Sequence, residues 1–149
     1  MSDSLTIGHA AEAAGVTTRT LRYYEQLGLL ALTARSVGGA RRYGPDDLER
    51  VARIRRLQGL LGQDLEQVRR VLLAEDRLAE LRAEWNADAD RDHRATILAE
   101  ATDINNSLRA QVQARMAALA DFAAELEEKA ARYRQVADEL AAEDQARRT

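Results

Sequence analysis

Cationic and hydroxyl-bearing side chains are concentrated in one short stretch of the sequence, "TTRTLRYYEQLGLL", which spans residues 17–30. If this stretch is helical, its outer face carries Arg19, Thr20, Arg22 and Tyr23. An arginine guanidinium pairs bidentately with guanine or with phosphate, and tyrosine hydroxyl groups bind phosphate oxygens. The stretch therefore predicts a helix that contacts a nucleic acid, and the alternative is an ordinary solvated face.

A second group of arginines surrounds a Gly-Gly pair in "LALTARSVGGARRYG", residues 30–44. The two short segments that flank the glycines have the spacing of a β-hairpin. Arg35, Arg41 and Arg42 lie on both sides of the turn. The pattern predicts a wing, a hairpin that points its cations toward phosphate groups beside the helix.

The local charge differs from the charge of the whole chain. The sequence has 22 Lys and Arg against 25 Asp and Glu, a formal net charge of −3, but residues 17–56 hold nine arginines and four acidic residues. This distribution predicts a basic surface on an otherwise acidic protein. Within it, Arg53, Arg55 and Arg56 are also consistent with plain solvated helix surface.

Capping residues predict the elements that position these side chains. A first helix over residues 7–14 follows the N-cap candidate Thr6 and stops at Gly15. Thr17 caps a second helix over residues 18–27. Two short helices around a tight turn form a helix-turn-helix, whose second helix lies in the DNA major groove. The inward face of that helix comprises Leu21, Tyr24, Leu27 and Leu30.

Two further helices complete the predicted domain, residues 1–75. Pro45 and two aspartates begin a third helix, "GPDDLERVARIRRLQGLLG". Asp64 caps a fourth helix, "DLEQVRRVLLAED". Residues 76–91 are interpreted as a partly helical connector that holds the sole tryptophan, Trp85.

The last third of the chain has the pattern of one long helix. Residues 92–143 contain no proline or glycine, and apolar residues recur every seven positions. This seam needs a partner, so we predict a coiled-coil homodimer, the alternative being a helix that folds back on its own domain. The predicted interface residues are Val112, Met116, Leu119, Leu126 and Tyr133, and residues 144–149 are expected to form a disordered tail.

Several function classes are disfavoured by composition. The 149 residues include no cysteine and only two histidines, His9 and His93, so no metal site and no cofactor are expected. We find no catalytic Ser/His/Asp set and no phosphate-binding loop, so an enzyme is not expected. The sequence shows no signal peptide and no stretch long enough to span a membrane, which favours the cytoplasm.

Four stretches, in order, resemble the MerR family of bacterial transcription regulators: "LTIGHAAEAAGVTTRTLRYYEQLGLL", "GGARRY", "PDDLERVARIRRL" and "LGQDLEQVRRVL". Together they cover residues 5–73. The resemblance implies a mostly α fold, in which a winged helix-turn-helix domain precedes a long helix that forms an antiparallel dimer interface. One departure is Ala40, which stands where the family usually carries an aromatic residue in the wing.

The resemblance also implies which residues contact double-stranded DNA. Carried over by position, they are Thr18, Arg19, Thr20, Arg22, Tyr23 and Tyr24 in the recognition helix and Arg35, Arg41, Arg42 and Tyr43 in the wing. Tyr24 and Tyr43 are equally consistent with amphipathic core residues.

The resemblance further implies a homodimer that binds an inverted repeat in a promoter, distorts the DNA and acts on RNA polymerase there. The absence of cysteine excludes thiol-based sensing. A small effector is hypothesised to bind near Trp85 and His93, although packing of Trp85 onto the domain is an alternative. Two other readings are an effector-independent repressor or architectural DNA-binding dimer, and a coiled-coil adaptor whose basic face binds an acidic protein.

Overall fold

The computed structural model describes residues 4–31, 34–35, 38–87 and 90–148. The chain divides into two compact units, Met1–Arg94 and Ala95–Thr149. The described residues form five helices and three short strands: β1 (Leu5–Thr6), α1 (Ile7–Ala14), α2 (Thr18–Gln26), β2 (Ala34–Arg35), β3 (Arg41–Tyr43), α3 (Pro45–Leu61), α4 (Leu65–Asn86) and α5 (Arg91–Arg148). The predicted mostly α fold, with a winged helix-turn-helix followed by a long helix, is confirmed.

Local capping groups fix the turn between α1 and α2. Gly15 adopts a left-handed conformation, with φ of +64°, which glycine tolerates without a steric penalty. The Val16 N–H then donates to the Ala11 carbonyl at 3.0 Å, and Arg55 Nη1 donates to the Ala14 carbonyl at 2.9 Å. On the other side of the turn, Thr17 Oγ1 accepts the Thr20 N–H at 3.0 Å, as the sequence predicts for a cap.

The three strands form one small antiparallel sheet with the order β1-β3-β2. Arg35 lies opposite Arg41 in the predicted hairpin, and Leu5 lies opposite Tyr43 in the second pair. We call the β2–β3 hairpin the wing. Strand β1 is not predicted from the sequence, because two residues are too few to show the alternation that identifies a strand.

One hydrophobic core holds the first unit together. All four helices from α1 to α4 contribute, together with the wing strand β3 and the segment after α2. Its largest fully buried side chains are Tyr43, Leu21, Leu29, Ile54, Leu72, Val51 and Val68. The same core therefore fixes the orientations of the recognition helix α2 and of strand β3, the two elements that carry the predicted contacts.

The predicted disordered tail is wrong, and the connector, predicted to be partly helical, is helical over most of its length. Helix α4 continues to Asn86, through most of the predicted connector, and α5 continues to Arg148, through the predicted disordered tail. Neither segment contains proline or glycine; residues 76–86 are rich in Ala, Glu and Arg, and residues 144–148 include Gln, Ala and two Arg, all of which favour helix. Arg147 and Arg148 also lie in the last turn of α5, where cations stabilise the negative end of the helix dipole.

The predicted seam of α5 is exposed in the single chain. The exposed apolar side chains include all five predicted interface residues, Val112, Met116, Leu119, Leu126 and Tyr133. Among the helices of the described residues, none is both long enough and apolar enough to cross a membrane.

Candidate nucleic-acid interface

The outer face of α2 presents the cationic side chains that the sequence predicts. Arg19, Arg22 and Tyr23 are exposed, and Thr18 and Thr20 are half-buried. A shallow depression of about 560 Å³ runs along this face, lined by Thr17, Arg19, Thr20, Arg22, Tyr23 and Gln26. No hydrogen bond or salt bridge joins either arginine to another residue of the described segments. Both guanidinium groups are therefore available to an anionic ligand.

The tyrosines Tyr24 and Tyr43 are core residues, which favours the core role over the contact with DNA, the two alternatives that the sequence leaves open. Tyr24 is 4% exposed and Tyr43 is fully buried. The Tyr24 hydroxyl donates to Gln58 Oε1 at 2.8 Å, and the Tyr43 hydroxyl donates to Glu25 Oε1 at 2.5 Å. Each ring fills the core while its hydroxyl is satisfied by a neighbouring element, which is the alternative that the sequence leaves open.

The arginines of the wing differ in their surroundings. Arg41 is exposed and its Nε donates to Glu25 Oε2 at 2.7 Å, a bond that raises the pKa of Arg41. Arg42 is half-buried and its Nε donates to Ser4 Oγ at 3.2 Å. The backbone of Arg35 pairs in the sheet, but its side chain lies outside the described part of the chain.

Glu25 is the residue of this site that sequence reasoning missed. Its two carboxylate oxygens accept from Tyr43 and Arg41, so it joins the recognition helix to the wing. The one available signal is that Glu25 is the sole acidic residue in the α2 sequence "TRTLRYYEQ". A carboxylate on a helix that binds an anion repels that anion, so its presence indicates that it interacts with another group.

Other arginines of the basic segment stabilise the domain. Arg50 binds both carboxylate oxygens of Asp76, at 2.7 and 2.9 Å, and its Nε donates to the Leu29 carbonyl. Arg53 pairs with Glu75. These contacts join α3 to α4, so Arg53 is not plain solvated surface. The cationic surface offered by the folded unit is consequently smaller than the count of arginines suggests.

The hypothesised effector residues lie near one another on α4 and at the start of α5. The Arg94 guanidinium lies 5.3 Å from the centre of the Trp85 ring, a cation–π contact. His93 Nε2 is 3.6 Å from Glu84 Oε2, and Arg77 lies 3.0 Å from the same Glu84 through Oε1. Within the described ranges, no group of three or more His, Asp or Glu side chains is placed to hold a metal ion.

The titration of Tyr43 predicts a loss of stability at alkaline pH. Burial first, and then the hydrogen bond to Glu25, raise the pKa of Tyr43 above its usual value of 10. An unfolded tyrosine therefore loses its proton at a lower pH than the folded one, so the free energy of unfolding falls as pH rises above about 10. Below that pH the contribution is fully present. We expect the melting temperature of the wild type to be unaffected by this group below about pH 10 and to fall progressively as the pH rises above it.

Tyr43→Phe provides the comparison, because phenylalanine keeps the ring and has no proton to lose. The variant should be less stable at pH 7 by about 1–2 kcal/mol, owing to the lost hydrogen bond, but its melting temperature should fall less steeply in alkali. Some fall should remain, because burial also raises the pKa of Tyr24. Parallel pH profiles for the two proteins would contradict this assignment.

Comparisons with known proteins locate the similarity in the first half of the chain. The family model described as "MerR HTH family regulatory protein" matches residues 5–75. The nodulation protein NolA of Bradyrhizobium elkanii is 47% identical over 66 residues, which cover 44% of this chain and 30% of NolA. The mercuric resistance operon regulatory protein of Pseudomonas fluorescens is 40% identical over 74 residues, which cover 50% of this chain and 51% of that protein. The matched regions thus span about a third to a half of these relatives.

A solved structure is similar over nearly the whole chain. The crystal structure of a MerR family transcriptional regulator from Listeria monocytogenes aligns with 98% of this chain and 100% of its own, with a TM-score of 0.62 and 22% sequence identity. At this level of identity the similarity concerns the fold alone.

Proposed function

Because residues 5–75 belong to the MerR family of helix-turn-helix regulatory proteins, we propose that the chain binds double-stranded DNA with sequence specificity and regulates transcription. The observation that carries this proposal is the outer face of α2. Arg19 and Arg22 are exposed there, and both lack an ion-pair partner among the described residues. Unpaired guanidinium groups on a recognition helix match the needs of base and phosphate recognition in the major groove.

The roles of the side chains follow from their positions. Arg19 and Arg22, on the exposed face of α2, contact base edges or phosphates, and the neighbouring Tyr23, 48% exposed, binds a phosphate oxygen. In the wing, Arg42 contributes to the sugar-phosphate backbone beside the groove, whereas the Arg41 guanidinium is paired with Glu25. Base contacts then specify the sequence, and phosphate contacts set the register.

The proposed active form is a homodimer joined through α5. A helix of 58 residues exposes a regular apolar stripe, including Leu119, Leu126 and Leu140, which favours burial against a second copy. Small residues such as Ala123 and Ala130 alternate with the larger ones in the same seam. Such small residues allow the two helices to approach closely, and we propose that the helices are antiparallel.

A dimer of this kind would bind the two halves of an inverted repeat. We propose that it bends and untwists the promoter between the half-sites and so alters access of RNA polymerase. Smooth bending of such a site costs about 1–6 kcal/mol, which contacts at both half-sites must offset. A small effector that is not thiol-reactive, bound near Trp85 and His93, would act by favouring one arrangement of the dimer.

A second candidate is an effector-independent repressor or architectural protein. It is favoured by the contacts around Trp85 and His93: Arg94 lies over the tryptophan ring, and His93 lies beside Glu84. Both side chains thus already have partners within the chain. The two candidates share the DNA interface and differ only in whether a ligand controls it.

Selection from a random pool of duplexes is the experiment that tests the shared proposal. The purified chain is expected to enrich fragments that contain an inverted repeat with fixed spacing. Enrichment of no sequence, with binding governed only by salt concentration, would instead favour a protein that binds any polyanion.

A further inference from the structure

An acidic side chain lies within the otherwise cationic interface. Glu25 is on the recognition helix α2, and its side chain is 15% exposed. One oxygen, Oε1, accepts from the Tyr43 hydroxyl at 2.5 Å, and the other, Oε2, accepts from Arg41 Nε at 2.7 Å. Tyr43 is fully buried, whereas the Arg41 side chain is 46% exposed. Glu25 therefore joins a core residue, a surface cation and the recognition helix in one network.

The geometry has two consequences for a DNA-binding surface. The bond to the buried Tyr43 hydroxyl fixes strand β3 of the wing on α2. The bond to Arg41 places a negative charge beside a cation that would otherwise be free for phosphate. A cation that is already neutralised by a carboxylate adds little to the release of counterions that drives binding to any DNA sequence.

We propose that Glu25 is a positioning and specificity residue of the interface, which anchors the wing to the recognition helix and withholds the charge of Arg41 from DNA of arbitrary sequence. This inference rests on the proposed function. Arg19 and Arg22, which are exposed on the same helix, form no hydrogen bond or salt bridge with Glu25. Sequence-dependent contacts are thus left intact while the sequence-independent attraction is reduced, which raises the ratio between specific and non-specific affinity.

The test uses the full chain and a labelled duplex of random sequence, with binding measured by fluorescence anisotropy between about 50 and 200 mM salt. Glu25→Gln keeps an acceptor for Tyr43 but removes the charge. Its plot of log affinity against log salt should be steeper than that of the wild type by about 0.9, the value for one added phosphate contact. Over this salt range the variant should lose about threefold more affinity than the wild type.

Three further variants test whether the effect of Glu25→Gln on the slope comes from the charge of Arg41. Arg41→Gln should not steepen the slope, and it should weaken binding to the random duplex, because the Glu25 carboxylate is left without its cation. In the double variant Glu25→Gln/Arg41→Gln, the slope of log affinity against log salt should return to that of the wild type. Glu49→Gln is the matched control, because Glu49 is an exposed residue of α3 with no hydrogen-bond or salt-bridge partner in the described segments. It makes the same change of charge, and its slope should equal that of the wild type.

The inference is overturned if Glu25→Gln has the same slope as the wild type. It is also overturned if the double variant keeps the steeper slope expected for Glu25→Gln. If circular dichroism shows that Glu25→Gln alone does not fold, the double variant, which leaves no unpaired charge, decides: a slope shallower than that of the wild type by about 0.9 would mean that the Arg41 charge is available to DNA. Failure of the proposed function gives a different result: the selection from random duplexes enriches no sequence, whatever the slopes of the Glu25 and Arg41 variants.

Discussion

Leu126→Asp is expected to convert the chain from a dimer to a monomer. Leu126 lies in the apolar seam of α5 and is 48% exposed in the single chain, so a second copy would bury it. An aspartate at this position introduces two carboxylates into the dimer interface, and burial of an unpaired charge costs several kcal/mol per ion. Light scattering measures the mass directly, and the expected result is half the mass of the wild type.

The same variant should lose most of its affinity for a duplex that contains both half-sites. In a dimer, binding of the second half-site is intramolecular, and loss of that linkage reduces affinity by about 10²- to 10⁴-fold. Ala124→Asp is the matched control, since Ala124 is an exposed residue of the same helix that lies off the seam. It adds the same charge and should leave the mass and the affinity unchanged. A wild type that is already monomeric would refute the dimer.

Arg22→Ala and Arg19→Ala should each weaken binding to the selected site by about 1–3 kcal/mol, or about 5- to 150-fold. Both side chains are exposed on the outer face of α2, and a lost bidentate contact to a base is not replaced by another group. Binding to a duplex of random sequence should weaken less, because it loses one of several charge contacts and no contact to a base. Electrophoretic mobility shifts with both duplexes measure the two affinities.

Arg70→Ala removes the same charge from a different surface and serves as the control. Arg70 is an exposed residue of α4, outside the proposed interface. Its affinity for the selected site should match that of the wild type. If Arg19→Ala, Arg22→Ala and Arg70→Ala lose affinity equally, these arginines act only through net charge. In that case α2 does not recognise the DNA sequence.

Local signals made much of the fold predictable. The turn between α1 and α2 depends on Gly15 and Thr17, whose roles follow from conformation and capping over a few residues. The exposure of Arg19 and Arg22 likewise follows from the period of one short helix. Such features need no knowledge of distant parts of the chain.

Features that depend on distant residues were harder to predict. The contact between Glu25 and Arg41 joins two elements, and nothing in either segment alone indicates it. Tyr24 and Tyr43 were ambiguous because a tyrosine suits a core and a surface equally well until its neighbours are known. The ends of α4 and α5 lie beyond the predicted ones, because neither the segment after residue 76 nor the one after residue 143 contains proline or glycine to stop a helix.

Strand β3 lies in the middle of the sheet, between β2 and β1. Leu5 of β1 pairs with Tyr43 of β3, and both helices of the helix-turn-helix lie between these two residues in the sequence. A synthetic peptide that carries only the hairpin lacks its third strand and its anchor on α2. Isolated two-stranded ribbons are marginal in water, so such a peptide should not keep this shape. Grafting the hairpin onto another scaffold would therefore require transplanting residues 5–6 and Glu25 with it.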